Sequence, residues 1–150
     1  MKIRQATISD ASSIYELNKE CLPIYFSLLE HISLILAPFF LVIVAERNNG
    51  EIIGYMIGQY ETDNFHIYSI GVSNKYRRKG IGKMLIDYLV TNHNNDYKSI
   101  TLNVHDLNES GINFYKKNGF QIEKTLKNYY DGNLKSTSQN ALFMRKIVKV

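Results

Sequence analysis

The 150-residue sequence contains a single cysteine, Cys21. A lone thiol excludes an intramolecular disulfide and a cysteine metal cluster, and its usual residence is a reducing compartment. Long hydrophobic runs are also lacking. The most apolar stretch, residues 32–45, is shorter than the roughly 20 residues that span a bilayer and is interrupted by Pro38, so it reads as a core element. No apolar signal segment follows Met1-Lys2-Ile3-Arg4. These features predict a cytoplasmic protein without membrane association. Charge of one sign is not extreme either: the net value is +4, with the excess concentrated between Lys75 and Lys83. A polyanionic cofactor explains that patch as well as a nucleic acid does, and no nucleic-acid partner is expected. With 45% apolar and 21% charged residues, the chain has the composition of a packed domain. Its length allows one core, so residues 1–150 are read as one domain.

The most informative stretch is residues 69–85, where an apolar strand runs through a basic, glycine-bearing turn into a helix. Gly80 and Gly82 let the backbone approach a ligand closely. The first turn of the following helix offers unpaired N–H groups and partial positive charge, which suits an anion. Arg77, Arg78, Lys79 and Lys83 surround the turn and add full charges. Pyrophosphate is the natural ligand of such a turn. Two nucleotide motifs are excluded by spacing. A Walker loop needs four residues between its glycines, and the dinucleotide fingerprint needs a third Gly where Leu85 stands.

In chain order, residues 2–7 read as a strand, and Ser9 or Asp10 can cap a helix carrying Ile14, Leu17 and Cys21 at helical spacing. Pro23 stops that helix, and residues 26–36 make a second one. Residues 40–46 and 52–61 read as strands joined by Asn48-Asn49-Gly50, a hairpin signal because Asn and Gly tolerate positive φ. Residues 66–72 continue the meander. Ile100, Leu102 and Val104 alternate with Thr101, Asn103 and His105, which describes a half-buried strand with a polar face. Residues 120–127 and 141–148 are the last strands, separated by a polar loop expected to be mobile. The order strand, two helices, three strands, helix, strand, helix, two strands specifies a mixed α/β sheet with helices on its faces.

The spacing Arg77-x-x-Gly80-x-Gly82 after a strand resembles the acyl-CoA pyrophosphate loop of the GCN5-related N-acetyltransferase (GNAT) superfamily. Residues 108–120, Asn-Glu-Ser-Gly-Ile-Asn-Phe-Tyr-Lys-Lys-Asn-Gly-Phe, resemble its later signature, in which Asn opens a helix, Tyr lies near its end and Gly-Phe starts a strand. The resemblance covers nearly the whole chain. It implies a mostly antiparallel sheet with a central splayed parallel strand pair and about four flanking helices. It also implies direct acetyl transfer from acetyl-CoA to an amine through a tetrahedral intermediate, with no covalent enzyme intermediate and no metal. Cys21, far from both motifs in sequence, is a weak candidate nucleophile.

Residue by residue, the resemblance puts the backbone of Ile70 and Val72 against the pantetheine arm. Arg77, Arg78, Lys79, Gly80, Ile81, Gly82 and Lys83 lie around the pyrophosphate, and Asn108 and Tyr115 contact the same cofactor. Tyr115 matches the tyrosine thought to protonate the departing thiolate; Asn108 could equally be a helix cap. N-terminal acetyltransferases commonly carry Glu or His where this chain has Asn103, which cannot accept a proton at useful pH. His66 is the substitute base, and His105 the second choice. Leu22, Pro23 and Tyr25 after the first helix, with Tyr129 and Tyr130 after the penultimate strand, resemble the peptide-binding loops of protein N-terminal acetyltransferases of the ribosomal-protein alanine and archaeal types. The favoured acceptor is therefore the N-terminal α-amine of a protein or peptide. A small amine such as a polyamine or amino sugar, and a non-catalytic acyl-CoA-binding module, are the alternatives. Association with a ribosome or an auxiliary subunit is compatible with the favoured class, and the sequence sets no oligomeric state.

Overall fold

The computed structural model describes residues 1–93 and 97–149. Seven strands form one sheet: β1 (Lys2–Gln5), β2 (Phe40–Glu46), β3 (Ile52–Glu61), β4 (Asp63–Val72), β5 (Tyr97–His105), β6 (Gln121–Leu126) and β7 (Ala141–Ile147). Their order is β1-β2-β3-β4-β5-β7-β6. Every pairing is antiparallel except β4 with β5. Four helices flank the sheet: α1 (Ala11–Cys21), α2 (Leu28–Leu36), α3 (Ile81–Asn92) and α4 (Glu109–Lys117). This is the α/β architecture that the element order specified. No helix among the described residues is long and apolar enough to cross a membrane.

Alternation along the strands divides the core in two. Leu41, Ile43, Met56, Phe65, Ile67, Ile100 and Leu102 face α3 and α4, meeting Ile81, Leu85, Leu89 and Ile112. Val42, Val44, Tyr55 and Ile57 face the other way, against Ile14 and Leu17 of α1 and Leu34 and Ile35 of α2. On this second face Thr101 and Asn103 of β5 and Phe143 and Arg145 of β7 line a cleft.

Several boundaries differ from the sequence expectation. β1 ends at Gln5, because Thr7 caps a short turn at Ile8–Asp10 that precedes α1. Asp10 stands at the N-cap of α1 without a side-chain cap bond. Its carboxylate instead accepts from Arg4 at 2.7 and 2.9 Å and from the Thr7 amide at 2.8 Å. α2 starts at Leu28 rather than residue 26, since Ser27 and Glu30 form a reciprocal capping box. β4 starts at Asp63, three residues early, because the turn from β3 is tight. The polar loop before β7 is tied by hydrogen bonds, Asn128 N to Asn140 Oδ1 at 2.8 Å and Tyr130 N to Gln139 O at 3.0 Å, rather than hanging free.

The Arg4–Asp10 pair sets an acid limit on stability. Hydrogen bonds from the Arg4 guanidinium, and then from Thr7, hold the Asp10 carboxyl below its ordinary value of 3.8. A lowered folded-state value means the stabilisation is complete above the unfolded value near 4. It is lost as pH falls through the folded value. Asp10→Asn should therefore cost about 1.5–3 kcal/mol at neutral pH, the worth of a hydrogen bond to a charged group. Denaturant melts at pH 7 and pH 3 should show the difference between variant and wild type shrinking in acid.

Candidate active site

The parallel pair is where the sheet opens. β4 and β5 are in register from Asp63↔Tyr97 to Ile67↔Leu102, and among the described residues no pairing between them continues beyond that point. β4 nevertheless runs on to Val72, and β5 to His105. The edge of β4 beyond Ile67, with Ile70 on it, thus borders a V-shaped gap, and the Val72 carbonyl at its far end accepts from Arg77. A bulge contributes to the opening: Ile57 pairs with Ser69 and Gly58 with Ile67, so Tyr68 is the extra residue.

The basic turn lies at the end of β4. Met84 N to Gly80 O, 3.0 Å, is the first main-chain bond of α3. Among the described residues, no N–H from Arg78 to Lys83 donates to a protein group. Gly80 has φ +81°, and nothing lies within 4 Å of the place a Cβ would occupy. Arg78 also has positive φ, 62°. Six successive amides, a helix N-terminus and an open glycine make a cradle that fits a pyrophosphate.

Residues in and beside this turn have duties the sequence did not suggest. The Arg77 side chain turns back, donating from Nε to Val72 O at 3.1 Å and from Nη2 to Cys21 Sγ at 3.5 Å. It braces the end of β4, a duty beside the one expected for it around the phosphates. Cys21, expected far from the motifs, lies beside them: its Sγ is 3.4 Å from Val72 O, and burial pushes its thiol up. A Cβ on Gly82 would come within 2.9 Å of the Phe114 ring, so this glycine permits close packing of α3 on α4. Lys83 pairs with Asp87 at 2.6 Å, and Lys79 lies over the Tyr76 ring. Arg78 carries none of these pairings. Ile81 is buried in the core under α3 rather than offered as a side chain to a ligand.

On α4, Asn108 Oδ1 accepts from Gly111 N at 3.0 Å, so the capping role considered for it is present. Tyr115 is half-buried, with its ring against Phe114 and Phe120. Burial pushes its hydroxyl well above the ordinary tyrosine range, with smaller contributions from the Tyr55 and Tyr130 hydroxyls. Tyr55 belongs to the α1 side of the sheet and Tyr115 to the α4 side.

On the α1 face, next to the gap, is a cleft of about 530 Å³ whose lining includes His66, Tyr68, Thr101, Asn103, Tyr129 and Phe143. A larger hollow of about 610 Å³ along α1 is lined by Glu16, Glu20 and Glu51, carboxylates that would repel phosphate, so volume alone does not pick the site. His66 is 8% exposed, stacked on Phe143 and edge-on to Tyr68, and burial pushes its titration down. Asn103 Oδ1 is buried without a hydrogen-bond partner among the described residues. His105 is held by the β6–β7 loop: its Nε2 lies 2.8 Å from the Ser138 carbonyl, to which it must donate, and its ring meets Tyr130. That bond places the hydrogen on Nε2 and leaves the lone pair of His105 on Nδ1. Pro23 ends α1 as expected, and Tyr25 packs edge-on to Tyr15, 45% exposed. Tyr129 and Tyr130 meet edge to face at 5.0 Å.

The sequence reading missed Asn18. Its side chain donates to Tyr55 Oη at 3.0 Å and Ser69 Oγ at 3.2 Å, and accepts from Phe26 N at 3.0 Å. One buried carboxamide thereby joins α1, the β4 bulge and the α1–α2 loop. A polar residue on the apolar stripe of Ile14, Leu17 and Cys21 was the signal available for it.

Comparison with known proteins agrees with this geometry. Residues 38–122 match the acetyltransferase (GNAT) domain family. An N-alpha-acetyltransferase from Sulfurisphaera tokodaii is 33% identical over 146 residues, covering 86% of this chain and 85% of that protein. The Ard1 structure from Thermoplasma volcanium superposes with a TM-score of 0.83 at 28% identity, covering 99% of this chain and 98% of that one. The ribosomal-protein-S18-alanine N-acetyltransferase of Escherichia coli shares the fold, with a TM-score of 0.87 at 21% identity over 99% of this chain and 94% of that one. With the splayed strand pair, the amide cradle and these matches together, the chain belongs to the GNAT family of acetyltransferases.

Proposed function

We propose that residues 1–150 act as one catalytic domain that moves an acetyl group from acetyl-CoA directly to the N-terminal α-amine of a protein or peptide. The observation that carries this reading is the gap between β4 and β5, with the amide cradle at its mouth and the aromatic cleft beside it on the α1 face. Donor and acceptor can meet there. The names of the archaeal relatives support the same acceptor class.

In this reading, the amides of residues 78–83 and the Arg78 side chain bind the pyrophosphate, with Lys79 and Lys83 nearby. Ile70 and Val72 pair with the extended arm, and Asn108 borders it. Tyr115, whose raised hydroxyl stays protonated at neutral pH, gives its proton to the departing thiolate. Leu22, Pro23 and Tyr25 form one lip of the acceptor groove, and Tyr129 and Tyr130 the other. Tyrosines suit this task because one ring supplies both apolar contact and a hydroxyl. His66 lies where the acceptor's first residue would rest.

A screen by thiol release tests the reading. Short peptides with free α-amines should release CoA faster than spermidine or glucosamine, each supplied with acetyl-CoA. Preference for either small amine would move the acceptor class, and tight acetyl-CoA binding with no turnover on any amine would leave a binding module.

A further inference from the structure

The polar face of the parallel pair carries a chain of hydrogen bonds whose directions are fixed at both ends. Arg145 Nη1 lies 2.8 Å from Ser99 Oγ. A guanidinium only donates, so Ser99 accepts and sends its own hydrogen to Asn64 Oδ1, 2.9 Å away. The Asn64 amide nitrogen is then on the other side, donating to Glu61 Oε1 at 2.9 Å and Thr101 Oγ1 at 2.7 Å. Glu61 fixes the same orientation, because a carboxamide oxygen turned towards a carboxylate would be repelled. Thr101 is 1% exposed, so its hydroxyl hydrogen needs an acceptor within the protein. Among the described residues, His66 Nδ1 at 2.8 Å is that acceptor. A neutral imidazole that accepts at Nδ1 carries its hydrogen on Nε2.

We propose that His66 is a hydrogen-bond donor and not the base: its Nε2–H, held in that tautomer by Arg145, Ser99, Asn64 and Thr101, grips the carbonyl oxygen of the acceptor's first residue. This rests on the α-amine reading above and replaces the base role expected for His66 from the sequence. The lone pair a base would use is at Nδ1, already taken by Thr101. Protonation there would turn the Thr101 hydroxyl away from its acceptor, and burial opposes it further, with Glu61 acting in the other direction. The charged groups around the ring are Glu61 and Arg145; Tyr68, Asn103, Tyr129 and Phe143 complete its surroundings. Oxygen is the partner because the attacking amine must keep its own lone pair free. An α-aminoacyl end offers a carbonyl oxygen next to its amine, whereas polyamines offer no oxygen and amino sugars only hydroxyl and hemiacetal oxygens. No enzyme base is required, since an α-amine with a pKa near 8 is about one-tenth neutral at pH 7.

Nitrogen-15 NMR of the imidazole in the full chain reads the tautomer directly. Wild type should show Nε2–H. Asn64→Asp replaces the donor to Thr101 by an acceptor, which should reverse the Thr101 hydroxyl and switch His66 to Nδ1–H. The same variant should lose about tenfold in kcat/KM on a free α-amine peptide, mainly through KM, as one neutral hydrogen bond is lost. The corresponding amine without the carbonyl should lose less. Thr101→Val, close in shape, should leave both tautomers populated and serves if Asn64→Asp fails to fold. An Nδ1–H signal in wild type would overturn the proposal, as would equal losses on both acceptors. If wild type acetylates no free α-amine, the carbonyl assignment falls with the functional reading, while the tautomer stands or falls on the spectrum alone.

Discussion

Tyr115→Phe is expected to bind acetyl-CoA as tightly as wild type and to turn over about 10- to 1000-fold more slowly, the scale of losing a general acid. The ring would remain packed on Phe114 and Phe120, so only the hydroxyl is removed. That hydroxyl is held protonated by burial, which suits a group that must give a proton to a thiolate at neutral pH. If the role is correct, the loss falls in single-turnover rate rather than in affinity, because the interaction is made as the thiolate leaves. Unchanged single-turnover rate would remove Tyr115 from the chemistry.

The second large effect concerns the amide cradle. Acetyl-CoA at about 100 times its Kd should stabilise the folded chain by about 2.7 kcal/mol. For a domain of this size that is a rise in Tm of about 5–10 °C. Arg78→Glu combined with Lys79→Glu should abolish the rise, because two carboxylates would then face the pyrophosphate. High salt should reduce the wild-type rise in the same direction. These side chains are exposed, so the variant should melt like wild type without ligand. Gly82→Asp is a poorer probe than the motif suggests, since its side chain would also collide with Phe114. Equal stabilisation of the charge-reversed variant would remove this turn from the donor site.

Much of the architecture is readable because it is local. Pro23 ends α1, Gly50 takes φ +88° in the β2–β3 hairpin, and alternation along β5 separates its core and cleft faces. The turn before α3 is equally legible: a strand, two glycines and a helix start suffice to predict an anion cradle. What stayed hidden depends on contacts between distant segments. Arg77 reads only as a phosphate ligand, and its bonds to Val72 O and Cys21 appear only in the folded chain. Gly82 reads as a phosphate glycine until Phe114 arrives from α4.

His66 shows the same division most sharply. Its type and its place before the turn suggest a base, and both are properties of one segment. Its tautomer depends on Thr101, 35 residues away, and on Asn64, which reaches Thr101 because β4 and β5 pair in parallel with a register shift at Asp63/Asn64. Periodicity predicts which face a residue occupies, not which residue of another strand lies opposite. Asn18 is hidden for a related reason, since its partners Tyr55 and Ser69 come from two other elements.

The central claim, acetylation of a terminal α-amine, is tested most directly by locating the acetyl group on one acceptor. A peptide with a free N-terminus and an internal lysine, incubated with acetyl-CoA and the protein, would be fragmented in a mass spectrometer. The account predicts one added acetyl group, on the terminal nitrogen, and none on the same peptide after its N-terminus has been blocked. Acetylation of the lysine side chain, persisting in the blocked peptide, would contradict it.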